Sequence, residues 1–111
     1  TERDMKVRQE EIFGPVVTLE SYEDFDDAIE LANETTYGLQ AGVFTNDINR
    51  IFQAHRDIEV GGVVVNDVSA FRADQMPYGG TKDSGVGREG LKWAMDEMTE
   101  EKILVLSHIP L

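Results

Sequence analysis

An α/β fold with a largely parallel sheet, strands alternating with helices, is predicted from three features of the sequence. Three segments repeat apolar residues at helical spacing. Short β-branched or apolar runs separate them. One run, Val63-Val64-Val65, is apolar without alternation, as in a strand covered on both faces. Strands that alternate with helices imply parallel pairing through right-handed crossovers.

Taken in order, residues 16–19 read as the first strand. Phe25, Ala28, Ile29 and Ala32 follow the i, i+3, i+4, i+7 pattern of a helix, with Ser21 as N-cap and Gly38 beyond its end. Residues 41–45 form the next strand. Ile48, Ile51, Phe52 and His55 share one face of a second helix, capped by Asn46 or Asp47 and terminated by Gly61-Gly62. Residues 63–65 are the third strand, and a long loop follows. Leu91, Ala94, Met95 and Met98 mark a third helix whose polar faces hold Lys92, Asp96 and Glu97. Ile103, Leu104, Val105 and Leu106 make a last strand, at a sheet edge or leaving the body of the domain.

The chain has 111 residues and a mass of 12.4 kDa, one domain's worth, enough to bury about two-thirds of its unfolded surface around a sizeable core. Its hydrophobic fraction of 41%, with ten glycines added, reaches about 50%, as in globular proteins. A net charge of −12 argues against nucleic acid and anionic membranes as partners, since both reward basic surfaces. No apolar run approaches the ~20 residues that span a bilayer, and no signal-peptide core opens the chain. The cysteine count is zero, which fits a cytoplasmic location and excludes disulfides, Cys-based zinc sites and a cysteine nucleophile within these residues. Thr1 opens the chain ahead of charged residues, as an excised or processed piece would.

Several motifs invite chemistry. Residues 85–90 fit the G-x-G-x-x-G pattern, but no strand precedes them and no acid stands about 20 positions on, so a turn that opens a helix is the better reading. The phosphate-loop pattern fails because Val86 stands where Lys is required. His55 and His108 are isolated, and no metal-ligand spacing is present. Asn33-Glu34-Thr35 matches a glycosylation acceptor without a secretory context. Glu23, Asp24, Asp26 and Asp27 suit the positive end of a helix dipole. Two segments exceed what fold-building needs: residues 10–15, Glu-Glu-Ile-Phe-Gly-Pro, and the Gly-rich residues 76–89.

Those two segments, in this order, resemble the C-terminal part of the catalytic domain of the aldehyde dehydrogenase superfamily. The family's E-E-I/V-F-G-P-V appears at residues 10–16, and its N-x-x-x-Y-G-L-x-A-G-V-F-T-x-D at residues 33–47. Its G-x-V-x-V-N appears at residues 61–66, its P-F-G-G-x-K-x-S-G-x-G-R-E at 77–89, and its T-E-x-K at 99–102. The resemblance implies a partial aldehyde dehydrogenase-like fold. Residues 1–101 would belong to the catalytic domain, and 102–111 to an oligomerisation-type terminal strand.

It also implies oxidation of an aldehyde to an acid with NAD or NADP, through a cysteine thiohemiacetal and thioester. The nucleophile, the general base and the cofactor domain would all lie upstream, so no catalytic residue or metal site is expected here, and no cofactor on this chain alone. By the family pattern, Glu11 would bridge the nicotinamide-ribose hydroxyls and Phe13 would pack beside the nicotinamide. Tyr78 replaces the usual Phe of the substrate funnel. The loop of residues 67–76 is about one residue longer than in fatty-aldehyde types, and its run through Phe71 and Arg72 resembles the branch acting on lactaldehyde or glyceraldehyde-type substrates. Arg72 could meet an anionic or hydroxylated substrate, or be a surface arginine. Asn66, Gly79, Gly80, Lys82 and residues 84–87 read as turn-shaping. A homo-oligomer is expected through Lys102, Ile103, Leu104, Val105, Leu106 and Ser107. The alternative is an interaction or assembly module that keeps the fold without catalysis.

Overall fold

A parallel β-α-β unit forms the centre of the computed structural model, which describes residues 1–2 and 4–108. In chain order the elements are α1 (Lys6–Gln9), α2 (Phe25–Asn33), β1 (Tyr37–Gly38), β2 (Gln40–Val43), α3 (Ile48–Asp57), β3 (Gly62–Val65), β4 (Thr81–Lys82) and α4 (Leu91–Met98). Strands β2 and β3 pair in parallel, with Gln40 opposite Gly62 and Val43 opposite Val65, and α3 is their crossover. The apolar centre is Val43 of β2, Ala54 of α3 and Ile29 of α2.

Capping decides where the helices start. Asp47 caps α3 by accepting from the Asn49 amide. For α2 the cap is Asp24, which accepts from Asp27 N–H at 3.0 Å, and not Ser21. A carboxylate next to the first turn gains from both the orphan amides and the dipole, which a serine three residues further out cannot reach. Helix α3 ends at Asp57, with Ile58 as its C-cap, so Gly62 opens β3 and terminates nothing.

A second sheet is antiparallel: Tyr37 pairs with Lys82 and Gly38 with Thr81. Lys82, at φ 52°, is more than turn-shaping. Its Nζ donates to the carbonyls of Asn33 (2.8 Å) and Thr35 (3.2 Å) at the end of α2 and pairs with Glu59 (2.9 Å). Asn33 completes the junction, donating to Asp57 O and accepting from Glu59 N, each at 2.8 Å. Gly61 is obligatory here, because a Cβ would collide with the carbonyl of Gly79.

Three expectations need correction. Residues 16–19 form no strand; Val17 and Leu19 are 82% and 84% exposed, with no neighbouring strand to satisfy their backbone. Residues 103–106, expected at a sheet edge or outside the body of the domain, pair with no strand among the described residues, and Ile103 is 87% exposed. The sizeable core is absent too: the accessible surface is 9390 Å², against about 6,100 Å² for a compact monomer of this mass. Among the described residues, two two-stranded sheets form rather than one larger sheet.

Candidate functional site

Glu11 lies on the lip of an open groove of about 710 Å³, shared with Arg8, Tyr37, Gln40 and Ser84. Arg8 ties this segment to the body through Glu34 (2.6 Å) and Glu20 (3.2 Å). The next residues fold tightly, with Gly14 N–H donating to Ile12 O at 3.0 Å and Val16 N–H to Gly14 O at 2.8 Å. That turn throws Phe13 outward, 94% exposed. Among the described residues, the Glu11 carboxylate makes no hydrogen bond or ion pair, which leaves both oxygens able to accept from a vicinal diol.

The expected substrate-side residues divide. Arg72 stands over the Tyr78 ring, 4.5 Å from guanidinium carbon to centroid, and pairs with Glu89 at 2.7 Å. The backbones of Tyr78 and Glu89 are joined by two hydrogen bonds of 3.0 and 2.6 Å, which hold the ring and the carboxylate side by side. Phe71 faces a different hollow of about 430 Å³, over β3 and beside Met76. Among the described residues, Gln40 alone lines both this hollow and the Glu11 groove.

Gln40 and Glu89 were not among the expected site residues. A polar residue alternating with Gly42 on a short strand is the available signal for Gln40; Glu89 closes the motif at 77–89, which marks it without giving it a role. Residues 85–90 form the expected turn: Gly85, Gly87 and Gly90 take φ of 136°, 77° and 124° and lead into α4. His55 is exposed on α3, and no cluster of metal-ligating side chains occurs among the described residues. Among the described residues, no helix is long and apolar enough to cross a membrane. At the end of α3, the exposed Arg56 bonds Asp57 at 2.7 and 2.8 Å, which lowers the carboxyl pKa and raises that of the guanidinium.

Residues 1–104 match the Aldehyde dehydrogenase family. A 3-sulfolactaldehyde dehydrogenase of Priestia aryabhattai is 56% identical over 104 residues, covering 94% of this chain and 22% of that protein. Aldehyde dehydrogenase 21 of Physcomitrella patens, solved with its reaction product succinate, superposes with a TM-score of 0.88 at 55% identity, over 94% of this chain and 22% of that one. Betaine aldehyde dehydrogenase of Staphylococcus aureus, solved as a P449M/Y450L double mutant with NAD+, gives a TM-score of 0.81 at 41% identity, over 87% and 19% of the two chains. The chain therefore spans about a fifth of the length of the relatives it matches. On the match across residues 1–104, this chain belongs to the aldehyde dehydrogenase family.

Proposed function

We propose that these residues are the C-terminal part of the catalytic domain of an NAD(P)-dependent aldehyde dehydrogenase, supplying a cofactor contact and a substrate wall to an enzyme whose nucleophile and base lie elsewhere. The observation that carries this is the Glu11 carboxylate, unpaired among the described residues, at the lip of a groove large enough for a nicotinamide riboside. The residues fit the cofactor: Glu11 would accept from both ribose hydroxyls, in charge-assisted bonds of about 1.5–3 kcal/mol each. Phe13, already solvent-facing, would lie against the nicotinamide once the rest of the protein brings it near. NAD(P), when bound, supplies the hydride acceptor. No cofactor is expected to bind this chain alone.

On the substrate side, Arg72 and Tyr78 would line the funnel together, and Phe71, on the separate hollow over β3, would belong to the same loop wall. Arg72 favours an anionic or hydroxylated aldehyde: it is held by one exposed carboxylate, an exchangeable partner, and braced on a ring face. The 3-sulfolactaldehyde of one relative's name and the succinate product bound in another carry such groups. The test is reduced-nicotinamide formation by the full-length protein carrying this sequence, with NAD and NADP, across anionic and neutral aldehydes of equal length. Preference for the anionic set, lost in Arg72→Ala, is the expected result. Equal rates with both sets, unaffected by Arg72→Ala, would remove the anionic-substrate reading.

A further inference from the structure

Gln40 sits where a strand residue would ordinarily pack an apolar side chain on its neighbour. Directly across the pair is Gly62, and the Gln40 side chain lies over it: a Cβ added at Gly62 would stand 3.3 Å from Gln40 Cγ and 3.4 Å from Nε2. Crossing β3 in that gap, Gln40 Nε2 donates to the carbonyl of Phe71 at 3.0 Å, 31 residues along the chain. This contact fixes which end of the amide is which, because a carbonyl can be met only by the NH2 group. The other end, Oε1, is shut away from solvent and has no partner among the described residues. A side chain kept only to fill space would not bury an unpaired acceptor, since that costs free energy which Met or Leu would avoid.

We propose that Gln40 is a positioning residue for substrate selectivity: its amide, laid across Gly62, pins the Phe71 carbonyl and so sets where the next residue, Arg72, presents its guanidinium. The inference rests on the substrate-wall reading above. Between the end of β3 and β4, residues 66–80 contain no helix or strand, so their placement depends on contacts of this kind. One hydrogen bond from the sheet to the residue before Arg72 is a short lever on the guanidinium.

The test uses the full-length protein with Gln40→Met, which keeps length and loses the donor, and Gly62→Ala, which crowds the same amide from the opposite strand. Native-state trypsin cleavage after Arg72, followed by mass spectrometry and normalised to cleavage after Arg50, reports the loop without reference to activity. Both variants should speed it about fivefold, the effect of losing one hydrogen bond. In the same variants, the ratio of kcat/KM for an anionic over a neutral aldehyde should fall by a similar factor, through KM for the anionic one. In an Arg72→Ala background Gln40→Met should change that ratio no further. Unchanged cleavage in Gln40→Met overturns the pin, whatever the kinetics show. Faster cleavage with an unchanged ratio, in an enzyme whose ratio does respond to Arg72→Ala, overturns the selectivity role and leaves the substrate wall standing. No response to Arg72→Ala itself removes the substrate wall and this proposal with it.

Discussion

Glu11 and Arg72 are both exposed charged side chains, and their partners tell them apart. Arg72 has a carboxylate and a ring to hold it, whereas Glu11 has neither hydrogen bond nor ion pair among the described residues. On the reading proposed above, this unpaired carboxylate beside a groove would accept from the ribose hydroxyls. If the full-length protein is the dehydrogenase proposed, Glu11→Gln is expected to slow hydride transfer more than it weakens cofactor binding. The adenine half would still be held upstream, while the ribose loses its charged anchor; a ~1 Å misplacement at the reacting centre can cost ~100-fold. Single-turnover kinetics at saturating cofactor measure this directly, and an unchanged hydride step would take Glu11 out of the assignment. Glu11 stands out in the sequence because a short motif carries it, and Arg72 because the run through Phe71 resembles one branch of the family. Gln40 does not, because its meaning depends on Gly62 standing across a strand pair, and register is a long-range property.

At the scale of elements, helices were easier to read than strands, for a physical reason. A helix closes its hydrogen bonds within its own segment, so apolar spacing and a cap suffice, and α2, α3 and α4 fall where their periodicity put them. A strand closes its bonds on a neighbour, so residues 16–19 have the composition and lack the partner. Strands β1 and β4, two residues each, had no pattern to read. Helix faces were read less well than helix positions. On α3 the buried residue is Ala54, while Phe52 stays 66% exposed. The junction of α2, α3 and β4 through Asn33, Glu59 and Lys82 was equally hidden, since its bonds run between distant segments. Removing the Lys82 ammonium with Lys82→Met leaves two carbonyls and Glu59 without their donor. The intact protein should lose about 1–3 kcal/mol and show a lower apparent melting midpoint by circular dichroism. Asp24→Ala, which removes the α2 cap, should cost about 1 kcal/mol by the same measurement. If Lys82→Met melted no lower than Lys92→Ala, a variant on the exposed face of α4, the junction would not matter to stability.

The whole molecule exposes far more surface than its mass warrants, and its radius of gyration is 20.0 Å where about 13 Å is usual for this length. Phe13, Val17, Leu19, Leu91 and Met98 all face outward. A chain spanning about a fifth of its relatives is expected to carry such faces if, as proposed, the rest of a longer enzyme covers them. Two expectations follow for the 111 residues by themselves. Aldehyde oxidation should be absent: with zero cysteines there is no thiolate to attack the carbonyl, and positioning by Glu11 cannot replace covalent catalysis. Reduced nicotinamide formed above the buffer blank, in protein free of host dehydrogenase, would contradict this. The second expectation is self-association through the terminal segment. Ile103, Leu104, Val105 and Leu106 are apolar on both faces and exposed, with backbone groups that pair with no strand among the described residues. Such an edge recruits another strand, and a second copy of the chain supplies the same one. The net charge of −12 opposes association. At physiological salt, however, that repulsion is screened over about 8 Å, whereas burial of apolar surface is not screened. Light scattering across a concentration series should therefore show a dimer or larger species, more populated at higher salt, and a variant ending at Glu101 should dissociate. A parent that stays monomeric, or a truncation that leaves the assembly intact, would mean that this segment finds its cover on its own chain.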